Sequence, residues 1–262
     1  MPTAFVTGAS RGVGRGVAAE LAAQGFSVFA TGRSIASAEL PDSVVRIQCD
    51  HTRDEDAARA FGVVEAASEG LDVLVNCAWG GYERMVDDGV FTWALPFWQQ
   101  PAHRWTSMID GGVRAAFVAS SHAARMMIPR GRGLIVNISY WAAQRHLGNT
   151  VYGIAQAATD KMTRDMAHEL REHGVAAVSL YPGLVRTERV MEAARGGWLD
   201  VSNSESPEFI GRVVAALHGD SNLSERSGTV IVAAQFAQEM GIVDVDGKQP
   251  PPLTLEALAR WK

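Results

Sequence analysis

The residues best suited to do chemistry lie near the start of the chain, where residues 7–14 read TGASRGVG. Gly8, Gly12 and Gly14 follow a short apolar run and lead straight into the helical pattern VGRGVAAELAAQG. In that setting the first glycine permits a tight turn and the second lets backbone approach a pyrophosphate. The third brings helix and strand together. Free N–H groups of the helix N-terminus then face the anion, with Ser10, Arg11 and Val13 set among the glycines. The loop reads as a dinucleotide cradle. At the end of the second apolar run, NAD-binding proteins place an acid on the adenosine ribose. This chain has FATGRS there, with Gly32 and Arg33 and no carboxylate. Arg33 and Arg11 carry forked donors able to pair with a 2′-phosphate, so the expected cofactor is NADP(H).

A loop of this kind needs a parallel sheet to hold it. Apolar, β-branched runs fall at 3–7, 27–31, 44–49, 72–76, 133–138, 175–181 and 228–233. Helical patterns alternate with them, near 13–24, 54–69, 103–128, 152–173 and 207–218. Near-continuous apolar strands fit a sheet covered on both faces. The expected fold class is therefore α/β: a single Rossmann-type doubly wound domain spanning 1–262, its parallel strands flanked by helices. Ligands bind beyond the carboxyl ends of such strands. The irregular stretches at about 77–101 and 183–206 follow the fourth and sixth runs, so they are expected to build the substrate pocket. A third irregular stretch is the tail from Ala234.

Composition narrows the partners. The net charge of −5 gives no electrostatic case for nucleic acid or for an anionic membrane surface. Cys49 and Cys77 are too few for a disulfide scaffold, and no Cys/His cluster suggests a metal. No apolar segment is long enough to cross a bilayer, and the N-terminus MPTAFVTG has no charged leader region. A cytoplasmic protein acting on a small molecule is the expectation.

TGASRGVG, Asn76 in VNCA, Tyr152 in VYGIAQ and YPGLVRT at 181–187 together resemble the short-chain dehydrogenase/reductase family, over essentially the whole chain. The resemblance implies a seven-stranded Rossmann sheet, NADP(H) and reduction of a carbonyl. It implies Asp50 at the adenine amino group, and Asn76 through Ala78 supporting the central strand and the adenosine ribose. Pro182, Gly183, Val185 and Thr187 would border the nicotinamide, the last two near its carboxamide. Read locally, Asp50 could equally serve a helix N-cap and Asn76 a strand-end turn. The helices near 103–128 and 152–173 resemble those through which the family pairs subunits, which implies a homodimer or homotetramer.

The resemblance also implies a catalytic set, and here the chain departs from it. Tyr152 would give or take the carbonyl proton, with a preceding serine on the substrate oxygen. A lysine one helical turn later would lower the tyrosine and hold the nicotinamide ribose. That position is Gln156, which shares a helix face with Tyr152 and can still hydrogen-bond a ribose hydroxyl, but carries no charge. The lysines are Lys161, Lys248 and Lys262, and Lys161 falls on the opposite face of the helix. If the ammonium normally lowers a tyrosine by about 2–3 units, its loss removes about 3–4 kcal/mol of proton-transfer driving force. Gly112 stands where a relay asparagine is expected. Ser139 has the expected spacing to Tyr152, yet aligning the strand GLIVNIS puts Tyr140 in the serine position, and both stay open.

Tyr140, Arg145, His146 and Arg186 could supplement the chemistry. Trp79, Trp93, Trp98, Trp105 and Trp141 could line an apolar pocket, or pack loops and subunits instead. Three readings follow. The first is an NADP(H)-dependent oxidoreductase acting on an apolar carbonyl, C=N or alcohol substrate. The second is an NADP(H)-binding protein without turnover, and the third is a normal enzyme into which Gln156 was introduced deliberately.

Overall fold

Strand parity sets the layers in this computed structural model, which describes residues 1–197 and 199–259. In β1 (Thr3–Thr7), Ala4 and Val6 join the core on one face while Phe5 joins the core on the other. Both faces are covered, so every residue of the strand is buried. The glycine loop leads from β1 into α1 (Gly12–Ala23), and β2 (Ser27–Gly32) and β3 (Val45–Gln48) continue the sheet outward. On the other side of β1 stand β4 (Val73–Asn76), β5 (Gly133–Ile138), β6 (Val175–Tyr181) and β7 (Val230–Val232). The order is β7-β6-β5-β4-β1-β2-β3, parallel throughout. Strand order reverses at β1, which opens a crevice between the carboxyl ends of β1 and β4.

One layer packs α1 and α7 (Pro207–His218) on the sheet through residues such as Val17, Leu21, Phe209 and Val213. The opposite layer holds α2 (Asp54–Ala67), α4 (Ala115–Met127) and α5 (Thr150–Leu170). There Phe5 stacks on Phe61 with ring centroids 4.4 Å apart. The helix expected over 103–128 is not continuous. It runs as α3 (His103–Met108), a π-helical turn over Ile109–Arg114, then α4. Such a turn rotates the following residues relative to a regular helix and is frequent at functional sites.

The stretches expected to be irregular carry small elements of their own. Val86–Asp87 and Val90–Phe91 form a hairpin, and Leu184–Val185 pairs with Ser204–Glu205 in parallel. Between those last two lies α6 (Glu188–Arg195), capped by the Thr187 hydroxyl. Position 198 of this stretch lies outside the described residues. The tail forms a short helix, Ala233–Glu239, and returns Asp244 to a buried position under Arg186. Among the described residues no helix is long and apolar enough to cross a membrane.

Candidate active site

The glycine loop is held by contacts that exclude larger residues. Gly8 has φ +65°, and a Cβ there would lie 2.7 Å from backbone atoms of Cys77 and Ala78. The loop is thereby pressed onto the end of β4, where the Thr7 hydroxyl accepts from the N–H groups of Cys77 and Ala78, each at 3.0 Å. Ser10, Arg11, Gly12 and Val13 open α1 at the mouth of the crevice. Arg33 begins the turn after β2 beside them. The guanidiniums of Arg11 and Arg33 converge on one carboxylate oxygen, Oε1 of Glu83, with Arg11 at 3.0 Å.

Asp50 follows β3 and borders a hollow of about 330 Å³ with Arg33, Gln48, Arg53 and Arg59. Its Oδ1 accepts from the N–H and hydroxyl of Thr52, closing a local turn. Partial burial raises its pKa, but the Thr52 hydrogen bonds and the Arg33 charge outweigh that and hold the carboxyl below its ordinary value. Asn76 ends β4 in a buried polar chain. Its amide donates to Asn137 Oδ1 at 2.8 Å and Ser120 Oγ at 3.0 Å, and Asn137 donates in turn to Thr163 at 2.9 Å. These bonds lock β4, β5 and α5 together beneath the crevice.

Tyr152 owes its place to a cap. Asn149 accepts from the Tyr152 N–H at 3.0 Å, so α5 begins at Thr150 and fixes the tyrosine in its first turn. The ring is buried among Trp79, Tyr82, Trp93 and Tyr140, with centroids 5.3–6.5 Å away. The Tyr82 hydroxyl donates to that of Tyr152 at 3.3 Å. Burial pushes the Tyr152 pKa well above the usual tyrosine range, and the neighbouring Tyr82, Tyr140 and Tyr181 push it further. Among the described residues no lysine opposes this. Lys161 lies exposed on the far side of α5, paired with Asp165 Oδ1 at 2.7 Å.

Gln156 is buried one turn beyond Tyr152, and its Oε1 has no partner among the described residues. Ser10 Oγ, in the glycine loop, is likewise buried without a partner among the described residues. Orphaned polar atoms at these two points suit a ligand bearing hydroxyl and phosphate groups along the crevice.

Ser139 and Tyr140, just past the end of β5, point different ways. Ser139 faces α5, where its hydroxyl donates to the Gln156 carbonyl at 3.4 Å, on the same face as Asn137. Tyr140, one residue on, turns its ring towards Tyr152. Gly112 sits in the π-helical turn, and a Cβ there would lie 2.6 Å from the Trp79 ring. Trp79 thus occupies the space an asparagine side chain would need. The other tryptophans divide by environment. Trp93 joins Trp79 at the tyrosine, Trp141 packs on Tyr181, and Trp98 and Trp105 are exposed. His146 is exposed on its loop, and Arg186 is committed to Asp244 Oδ2 at 2.9 Å.

Pro182, Gly183, Val185 and Thr187 follow β6 and lie over the crevice, with the Thr187 methyl against the glycine loop. Under them is Glu205, which sequence reasoning missed. It is buried and accepts from the Gly183 N–H at 2.8 Å. Burial drives its pKa up to about 7 despite that hydrogen bond. Glu83, Glu188 and Tyr82 were missed as well. They lie in stretches that read as irregular in the sequence, and their partners stand 70 to 176 residues away in the chain, or 50 for the Glu83–Arg33 pair.

A doubly wound parallel sheet with a glycine-rich first crossover and a helix-borne tyrosine at the same crevice defines an oxidoreductase-type dinucleotide-binding protein. The short chain dehydrogenase family model matches residues 2–196, and the chain belongs to that family. Among curated relatives, "Dehydrogenase/reductase SDR family member 1" of Mus musculus is 38% identical, covering 93% of this chain and 83% of its own length. "Short-chain reductase protein NovJ" of Streptomyces niveus is 31% identical, covering 94% and 93%. A solved "short chain dehydrogenase/reductase family protein" superposes with a TM-score of 0.70 at 27% identity, over 88% of this chain and 94% of that one.

Proposed function

We propose that the chain is an NADP(H)-dependent short-chain reductase that acts on apolar substrates whose reduction needs little help from a proton donor. The observation that carries the cofactor choice is the convergence of Arg11 and Arg33 on a single anionic oxygen at the adenosine end of the crevice. A 2′-phosphate offers the same acceptor to the same two forks. When bound, the dihydronicotinamide supplies a hydride. Gly12 and Ser10 would hold the pyrophosphate, Gln156 a ribose hydroxyl, and Val185 and Thr187 the carboxamide end.

Tyr152 would donate a proton to a substrate oxygen, and its buried setting among other tyrosines makes the tyrosinate leaving that step expensive. Substrates that need no such donation suit the site better. An iminium ion accepts hydride without a proton, and a quinone stabilises its own reduced oxygen. Trp79, Trp93 and Tyr140 would present aromatic faces to either. A second reading, cofactor binding without turnover, draws on the same raised tyrosine and on the filled relay position at Gly112. Fluorescence titration with NADPH and NADH tests the cofactor, and NADPH oxidation across iminium, quinone and ketone panels tests turnover. NADPH is expected to bind about 10–100-fold more tightly than NADH. Tight NADPH binding with no oxidation of any class would favour the second reading.

A further inference from the structure

Two pairs of consecutive residues bridge the crevice: Tyr82 with Glu83, and Glu188 with Arg189. Glu83 Oε1 accepts from both Arg11 and Arg33. Glu188 Oε2 accepts from the Gly12 N–H at 2.9 Å, at the opening of α1, and its Oε1 pairs with Arg15 at 3.1 Å. Arg189 donates to the Tyr82 carbonyl, which ties the two pairs together. Tyr82 in turn covers the Tyr152 hydroxyl at 3.3 Å. Neither acid lies in the sheet or in the helices packed on its faces. Both belong to segments laid over the carboxyl edge of the strands.

A carboxylate oxygen and a phosphoryl oxygen are the same kind of acceptor for a guanidinium or a helix N-terminus. Each carboxylate therefore occupies a place that a dinucleotide's anion needs. One amide N–H cannot serve a carboxylate and a phosphate at once, and two anions cannot share the arginine pair without repulsion. We propose that Glu83 and Glu188 are internal competitors for the dinucleotide, Glu83 against the 2′-phosphate and Glu188 against the pyrophosphate. The ligand-free chain is then latched with Tyr82 on Tyr152. This rests on the NADP(H) reading above and adds a consequence to it. Expelling Glu83 carries its neighbour Tyr82 off Tyr152, so the 2′-phosphate uncovers the tyrosine.

The test uses adenosine 2′,5′-bisphosphate and 5′-AMP as probes, which bind without turnover. Glu83→Gln removes the competing charge and should tighten the bisphosphate about 3–10-fold, while 5′-AMP changes by less than about twofold. Glu69→Gln makes the same charge change on an exposed residue and should move neither. Trp79 and Trp93 flank Tyr82, so acrylamide quenching of tryptophan fluorescence reports the latch. Quenching should rise with the bisphosphate in the unaltered chain, and without ligand in Glu83→Gln. A phosphate preference that Glu83→Gln leaves unaltered, or unchanged quenching in both experiments, overturns the latch alone. Equal affinity for the two probes in the unaltered chain and in Glu83→Gln overturns the latch and the cofactor reading together.

Discussion

Restoring a charge at position 156 probes the proposed chemistry most directly. Tyr152 is 6% exposed, and burial already holds its hydroxyl well above the ordinary range. Gln156, one turn along the same face and also 6% exposed, has an amide oxygen with no donor among the described residues. An ammonium there would lower the tyrosine by about 2–3 units, equivalent to about 3–4 kcal/mol. Only a fraction of that reaches the transition state, because the proton is partly transferred there. Gln156→Lys should therefore raise reduction of a simple ketone by roughly 10–100-fold. Iminium reduction should gain little, since no proton moves. The pH profile supplies the sign. With Gln156 the tyrosine stays protonated, so ketone reduction is flat through about pH 6–9. With lysine the lowered tyrosine should lose its proton on the alkaline side, and reduction should fall there while alcohol oxidation rises. Absorbance loss of NADPH with each substrate class measures all of this. An equal gain for iminium and ketone, or no ketone gain with NADPH binding intact, would refute the argument that the proton affinity of Tyr152 limits the step.

Three further outcomes follow from particular contacts. Glu205, raised to about 7 by burial, favours the fold in its protonated form. That contribution is complete below the ordinary carboxylate range and is lost as pH rises through about 7. Glu205→Gln, which can still accept from Gly183, should therefore stabilise the chain at pH 8 by up to about 3 kcal/mol and much less at pH 5, by thermal unfolding. Gly112→Asn should destabilise by about 1–3 kcal/mol because the Trp79 ring fills the space, and Trp79→Ala should relieve most of the penalty. An unchanged Tm in Gly112→Asn would count against that packing. Phe117 on α4 and Ile154 on α5 are large, apolar and exposed, as faces that pair subunits would be. Light scattering is expected to give a dimer or tetramer, and Phe117→Asp a monomer.

Much of the scaffold was legible in the sequence because it rests on local periodicity. Both-face burial makes strands such as 73–76 and 175–181 read as near-continuous apolar runs, and turn glycines mark where they stop. The break at Ile109–Arg114 was not legible, since a π-helical turn keeps the helical pattern on either side and betrays itself only through the glycines at 111 and 112. The choice between Ser139 and Tyr140 turned on one residue of loop length, which spacing to Tyr152 cannot resolve. In the structure the Ser139 hydroxyl donates to the Gln156 carbonyl while the Tyr140 ring turns towards Tyr152, a difference of direction that spacing does not carry. The acids of the crevice were illegible for a different reason. Glu83, Glu188 and Glu205 lie in segments without a repeat, and what makes them matter is a partner far away in the chain. Excess charge alone could have pointed to them. A glycine loop flanked by Arg11, Arg15 and Arg33 concentrates positive charge, and in a chain of net charge −5 acidic side chains are the natural partners for it, as Glu83 and Glu188 are here.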